Sequence, residues 1–135
     1  MPLFIWNSSY SVNVKRFDAD HQQLFNIINE LHEGMKAGHG KDVMHDVLAK
    51  LLHYTERHFT AEEAVMKDLG YMQLPAHIEQ HRKFTDKIKE VADQYKAGAA
   101  GLSVDMLDFL TKWLSQHIMA IDKQYSEFMN AKGVA

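Results

Sequence analysis

The chain has 135 residues, of which 46% are hydrophobic and 24% charged, a composition typical of a globular protein with one core. A net charge of −3 argues against an extended basic surface that would bind nucleic acid or an anionic membrane. The chain contains no cysteine, which excludes disulfides, iron–sulfur clusters and thiol catalysis. It has neither a signal-peptide pattern at its start nor an apolar run of about 18 residues, so we expect a cytoplasmic protein.

The predicted elements are an arm followed by four helical segments. Residues 1–17 are too apolar for a free tail and too irregular for a helix, which predicts an arm packed on the remainder of the chain. Asp18, Asp42 and Ser103 are candidate N-caps, and Pro75 suits a first helical turn. Between the helices lie breaks that contain glycine or proline: AGHGKD (37–42), LGYMQLP (69–75) and KAGAAGLS (96–103). We predict helices at about 18–37, 42–68, 74–97 and 103–130.

Each helical segment has an apolar stripe at heptad-like spacing, which is typical of the core face of a helical bundle. The predicted fold class is all-α, an up-down-up-down four-helix bundle with the N-terminal arm packed on it, and residues 1–135 form one domain. Polar side chains of metal-ligand type interrupt these stripes: His21 in the first helix, His58 and Glu62 in the second, His77 and His81 in the third, His117 and Asp122 in the fourth.

The interruptions also agree in depth along the bundle. Short loops make neighbouring helices antiparallel, so the start of the first and third helices lies at the same end as the later parts of the second and fourth. Buried imidazoles and carboxylates need partners, because burying a polar or charged group without one is costly. Bound metal would satisfy all of these side chains together.

The donor set limits which metal suits the site. Five imidazoles and two carboxylates exceed the four ligands of a tetrahedral zinc and lack the all-oxygen character that calcium and magnesium prefer. Imidazole combined with carboxylate suits iron, among other metals, and two metals would share the carboxylates as bridges. With a bridging oxide or hydroxide, such a pair of octahedral ions keeps one coordination position open for a diatomic ligand.

The quoted motifs resemble those of the hemerythrins, in their single-domain bacterial form, over nearly the whole chain. The matching features are Trp6, DADHQQLF (18–25), HFTAEE (58–63), HIEQH (77–81) and HIMAID (117–122). One difference is Asn13, where many relatives have glycine.

The resemblance implies two non-haem iron ions with a bridging oxide or hydroxide. It implies one iron held by His77, His81 and His117, a second held by His21 and His58, and bridges from Glu62 and Asp122. It further implies reversible dioxygen binding at the two-histidine iron, for storage, delivery or scavenging, and azide-like anions as ligands of the ferric form. Phe59, Trp113, Leu114 and Ile118 are the residues that the resemblance places around the ligand.

Other functions remain compatible with the sequence. The abundance of neutral imidazole favours binding over oxygen activation, so we expect no enzymatic activity. The resemblance implies a monomer, and the net charge of −3 predicts no nucleic-acid or membrane partner. The alternatives are an oxygen- or redox-sensing module, a di-iron enzyme that handles peroxide or nitric oxide, and an iron buffer. The remaining histidines match no ligand position and are expected at the surface or its boundary: His32, His39, His45 and His53.

Two local expectations concern the site itself. His117 and Asp122 differ by about 140° around an ideal helix, and the apolar stripe slips by one residue there, which predicts a π-bulge or another irregularity between about 114 and 123. Without metal, repulsion between Glu62 and Asp122 and their burial are both expected to raise a carboxyl pKa.

Overall fold

The computed structural model describes residues 5–98 and 101–135, apart from the Lys41 side chain. The described elements are all helical, and they form the predicted up-down-up-down bundle. A 3-10 turn at Ser8–Tyr10 precedes α1 (Lys15–Lys36), α2 (Gly40–Leu69), α3 (Leu74–Lys96), α4 (Leu102–Gln116), a π-helical segment (His117–Asp122) and α5 (Lys123–Ala131). The last three elements follow one another without a break and form the fourth rod of the bundle.

The N-terminal arm packs on the bundle from Trp6 onward, and residues 1–4 of the predicted arm lie outside the described residues. The Trp6 and Tyr10 rings contact the Phe25 ring of α1, with centroids 5.3 and 4.8 Å apart. Val12 and Val14 are buried in the core. Apolar burial therefore holds the arm in place, as predicted.

The predicted N-caps are wrong at three helices. α1 begins at Lys15, three residues before the expected Asp18, because the Asp18 carboxylate accepts hydrogen bonds from the Val12 amide (2.8 Å) and the Ser11 hydroxyl (2.6 Å) of the arm. Asp42 and Ser103 lie inside the first turns of α2 and α4. Pro75 does lie in the first turn of α3, where its missing N–H leaves no hydrogen bond unmade.

The core runs the length of the bundle and changes character near one end. Its apolar part includes the fully buried residues Leu24, Ile28, Leu51, Ile88 and Leu110. Near the end where the core changes, the buried side chains include imidazoles and carboxylates. Among the described residues, no helix combines the length and the apolar character needed to cross a membrane.

Candidate metal centre

All seven predicted ligand side chains are buried, and they meet at one end of the bundle. Each exposes 3% or less of its surface. They come from the N-terminal parts of α1 and α3 and from the later parts of α2 and of the fourth rod, as predicted from the helix directions. They are His21, His58, Glu62, His77, His81, His117 and Asp122.

These side chains form two sets that share their carboxylates. In one set, ligand atoms of His77, His81 and His117 lie with those of Glu62 and Asp122, all within 4.8 Å of one another. In the other, ligand atoms of His21 and His58 lie with those of the same two carboxylates. Each carboxylate therefore faces both sets.

The three-histidine set uses one oxygen of each carboxylate. His81 Nε2 and His77 Nε2 lie 3.1 and 3.3 Å from Glu62 Oε1. His77 Nε2 and His117 Nε2 lie 3.0 and 2.8 Å from Asp122 Oδ1. The imidazoles of this set thus converge on Oε1 and Oδ1.

The two-histidine set uses the other oxygens. His58 Nε2 lies 3.2 Å from Glu62 Oε2, and His21 Nε2 lies 3.0 Å from Asp122 Oδ2. The two Nε2 atoms are 3.1 Å apart. This division of oxygens is the arrangement that two bridging carboxylates require.

Several of the converging atoms have no hydrogen-bond partner among the described residues. His117 Nε2, His81 Nε2 and both Asp122 oxygens are buried and make no well-aligned hydrogen bond. Neighbouring ligands of an octahedral ion with bonds of about 2.1 Å lie about 3 Å apart, close to the separations seen here. The residues therefore fit a pair of metal ions, which would satisfy these atoms.

The π-helical segment aims the last two ligands. It begins at His117 and ends at Asp122, within the interval where the sequence predicted an irregularity, so that prediction is confirmed. The wider turn accommodates one extra residue, which lets both side chains face the core although they are five residues apart. Ile118, Tyr125 and Met129 remain on the buried face beyond it.

Two carboxylates outside the predicted ligand set orient histidines. The Nδ1–H of His58 donates to Asp20 Oδ2 (2.8 Å), and that of His81 donates to Glu63 Oε2 (2.9 Å). Each bond holds the Nε2 atom of its ring toward the centre and raises the basicity of that atom. Sequence reasoning missed both acids; the available signal was their position next to His21 and Glu62 in the chain.

Tyr125 contacts Glu62, one of the two carboxylates that both histidine sets share. Its hydroxyl donates to Glu62 Oε2 at 2.5 Å, so this buried hydroxyl has a hydrogen-bond partner. Burial, Glu62 and Asp122 raise the Tyr125 pKa well above its usual value, so the hydroxyl keeps its proton and remains a donor.

The expected direction of the carboxyl pKa values is wrong. Burial raises the Glu62 pKa, but the surrounding imidazoles, His58 first, lower it more, and it lies well below its usual value. For Asp122, burial and Glu62 both raise the pKa, yet His117 and His21 outweigh them. The imidazoles that bring the two acids together thus also keep them ionised.

The imidazole pKa values show the same coupling from the other side. Burial lowers the His21 pKa, but Asp122 and Glu62 raise it to about 10, and the same carboxylates raise that of His77 to about 9. The His58 pKa is also raised, by Glu62 and Asp20 against burial, whereas burial dominates at His117 and lowers its pKa. Metal uptake must therefore displace protons from imidazoles of this centre.

The four predicted ligand-pocket residues lie on α2 and the fourth rod. Phe59 stacks on His81 at 3.7 Å between ring centroids, and Trp113 stacks on His117 at 4.2 Å. Leu114 and Ile118 expose no surface. The two aromatic rings therefore lie against imidazoles of the three-histidine set.

The other histidines lie apart from the centre. His39, His45 and His53 are exposed, and His32 is half-buried, as expected from their positions off the core stripes. Neither ligand set includes any of them.

The fold and this cluster of side chains can be compared with those of known families. A family model described as the hemerythrin HHE cation binding domain matches residues 12–128. The chain belongs to the hemerythrin family. This agrees with the resemblance found in the sequence motifs.

Relatives within the hemerythrin family match over nearly their full lengths. A bacteriohemerythrin of Methylococcus capsulatus is 30% identical, covering 97% of this chain and 100% of the relative. One of Clostridium acetobutylicum is 31% identical, covering 91% and 98%. A myohemerythrin of Riftia pachyptila is 30% identical, covering 90% of each chain. A crystal structure of a wild-type hemerythrin superposes with a TM-score of 0.84 at 29% identity, covering 93% of this chain and 96% of that one.

Proposed function

We propose that this chain binds dioxygen reversibly at a non-haem di-iron centre with a bridging oxide or hydroxide. The observation that carries the proposal is the division of carboxylate oxygens between two histidine sets, in a chain that belongs to the hemerythrin family. Two ferrous ions, when bound, supply two electrons to dioxygen and recover them on its release. The rest of the chemistry is performed by the side chains.

In this proposal the imidazoles bind through Nε2 and the two carboxylates bridge. His77, His81 and His117 would hold one ion, and His21 and His58 would hold the other, where dioxygen would bind. Glu62 and Asp122 would be shared by the two ions. The separations described above fit this assignment. Asp20 and Glu63 support it, because they hold the His58 and His81 rings in place.

We propose that apolar side chains keep water away from the open position. Phe59, Trp113, Leu114 and Ile118 are the candidates, and the full burial of the last two supports this role. A dry surrounding disfavours charged species and interrupts hydrogen-bonded water chains that would deliver protons. Slow irreversible oxidation of the centre is the expected result.

The visible spectrum of the iron-loaded protein tests this function. Ferrous protein prepared without oxygen should develop a charge-transfer band in air and lose it again when oxygen is removed. His58→Ala should lose the band, whereas His53→Ala, an exposed histidine on the same helix, should keep it. Loss of reversibility in the wild-type protein would refute the proposal.

The same preparation separates the alternatives. One-way bleaching to a ferric form favours a redox-sensing module, and steady turnover of peroxide or nitric oxide with a reductant favours an enzyme. Bound iron with no response to gas favours an iron buffer. Absence of catalysis, the one-domain organisation, a monomeric state, a cytoplasmic location and azide binding by the ferric form stay predictions.

A further inference from the structure

Tyr54 has a buried hydroxyl without a partner. The residue is 5% exposed, and no hydrogen-bonding group of the described residues pairs with its oxygen. Buried tyrosine hydroxyls normally find a partner, because an unsatisfied one loses its bonds to water and gains none. Tyr125 shows the usual situation, since its hydroxyl donates to Glu62.

The Tyr54 ring lies against the two-histidine set. It stacks on the His58 imidazole with 5.1 Å between centroids and 22° between planes, one helical turn before it on α2. It also contacts the Phe59 ring edge-on at 6.0 Å, one of the proposed pocket residues. The unpaired hydroxyl is therefore attached to a ring held between a proposed iron ligand and the proposed pocket lining.

We propose that the Tyr54 hydroxyl donates a hydrogen bond to a small anionic ligand bound at the His21 and His58 half of the centre. The inference rests on the proposed function, because it needs an ion with an open position there. The hydroxyl is unpaired without the ligand and becomes paired with it. Tyr54 would thus discriminate in favour of ligands that carry negative charge.

One feature on the outer side of Tyr54 offers a competing explanation. The residue also lines a surface cleft of about 230 Å³ between α1 and α2, together with Asn26, Glu30, Lys50 and His53. A hydroxyl that turned toward this cleft would form hydrogen bonds with water in solution. Removing it would then destabilise the iron-free protein.

The test compares Tyr54→Phe with wild type in two states. In the iron-free protein, losing an unsatisfied hydroxyl should raise the melting temperature, by about 3 °C or more. In the diferric protein, the Kd for azide, measured by visible titration, should rise roughly 10-fold, as expected for loss of a hydrogen bond to a charged acceptor. Tyr95→Phe, which removes a phenol oxygen from the far end of α3, should leave the azide Kd unchanged.

Two outcomes overturn the inference. A lower melting temperature for iron-free Tyr54→Phe means that the hydroxyl already has a partner. A higher melting temperature with an unchanged azide Kd means that the Tyr54 hydroxyl is unpaired in the core and does not contact the ligand. If wild-type diferric protein binds no azide and its ferrous form no dioxygen, the proposed function itself fails, and the wild-type titration shows this separately.

Discussion

Leu114→Ala tests whether the side chain one helical turn before His117 protects the centre or only fills the core. Leu114 lies on α4 and exposes no surface. Losing three buried carbon atoms costs about 2.4 kcal/mol of transfer free energy, and the residual cavity raises the total to about 3–4 kcal/mol. With an unfolding entropy of about 2.1 cal/mol/K per residue, the melting temperature should fall by about 12 °C.

The functional consequence should be specific to Leu114. Because we propose that Leu114 lines the pocket around the open position, its truncation should admit solvent to the centre, and we expect several-fold faster autoxidation and faster azide association with unchanged iron content. Stopped-flow absorbance gives both rates, and thermal melting of the same samples gives stability.

Leu110→Ala is the matched control. Leu110 lies one turn earlier on α4 and is equally buried, so its truncation should cost a similar free energy. Its distance from the centre should leave autoxidation at the wild-type rate. If both variants autoxidise equally fast, lost stability is the cause; if Leu114→Ala matches wild type while folded and metallated, the pocket assignment is wrong.

Three further predictions concern the metal and the backbone. Iron-free protein should melt well below the iron-loaded form in calorimetry, because metal bound only to the native state stabilises it; equal melting temperatures at verified metal content would contradict this. Asp20→Asn and Glu63→Gln should each weaken metal binding about 10–100-fold in a competition titration with a chelator, since each frees a ligand ring, and unchanged affinity would show that packing alone orients the rings. Asn13 has a φ of +57°, so Asn13→Ala should destabilise by about 1 kcal/mol in chemical denaturation and Asn13→Gly should not; equal losses would remove backbone strain as the reason.

The sequence predicted the centre because its ligands interrupt regular stripes. His21, His58 and His77 lie where apolar residues belong, and helix direction alone sets their depth. The slip of the stripe between His117 and Asp122 likewise predicted the π-helical segment, since the buried face had to continue through Tyr125 and Met129.

Features off the stripes were not predictable in the same way. Asp20 and Glu63 are half-buried acids whose roles depend on which ring nitrogen faces them. The start of α1 depended on Asp18 turning back to the arm, a contact that local preference does not encode. The carboxyl pKa values depended on how closely the imidazoles surround Glu62 and Asp122, which only coordinates supply.

The π-helical segment matters for anyone who would transplant this centre. A regular designed bundle offers ligand positions at separations of three or four residues, and grafting the side chains onto it would turn Asp122 away from His117. The backbone must carry the widened turn as well. Conversely, deleting one residue between them would restore an ordinary helix and give a direct experimental measure of what the irregular turn contributes to metal affinity.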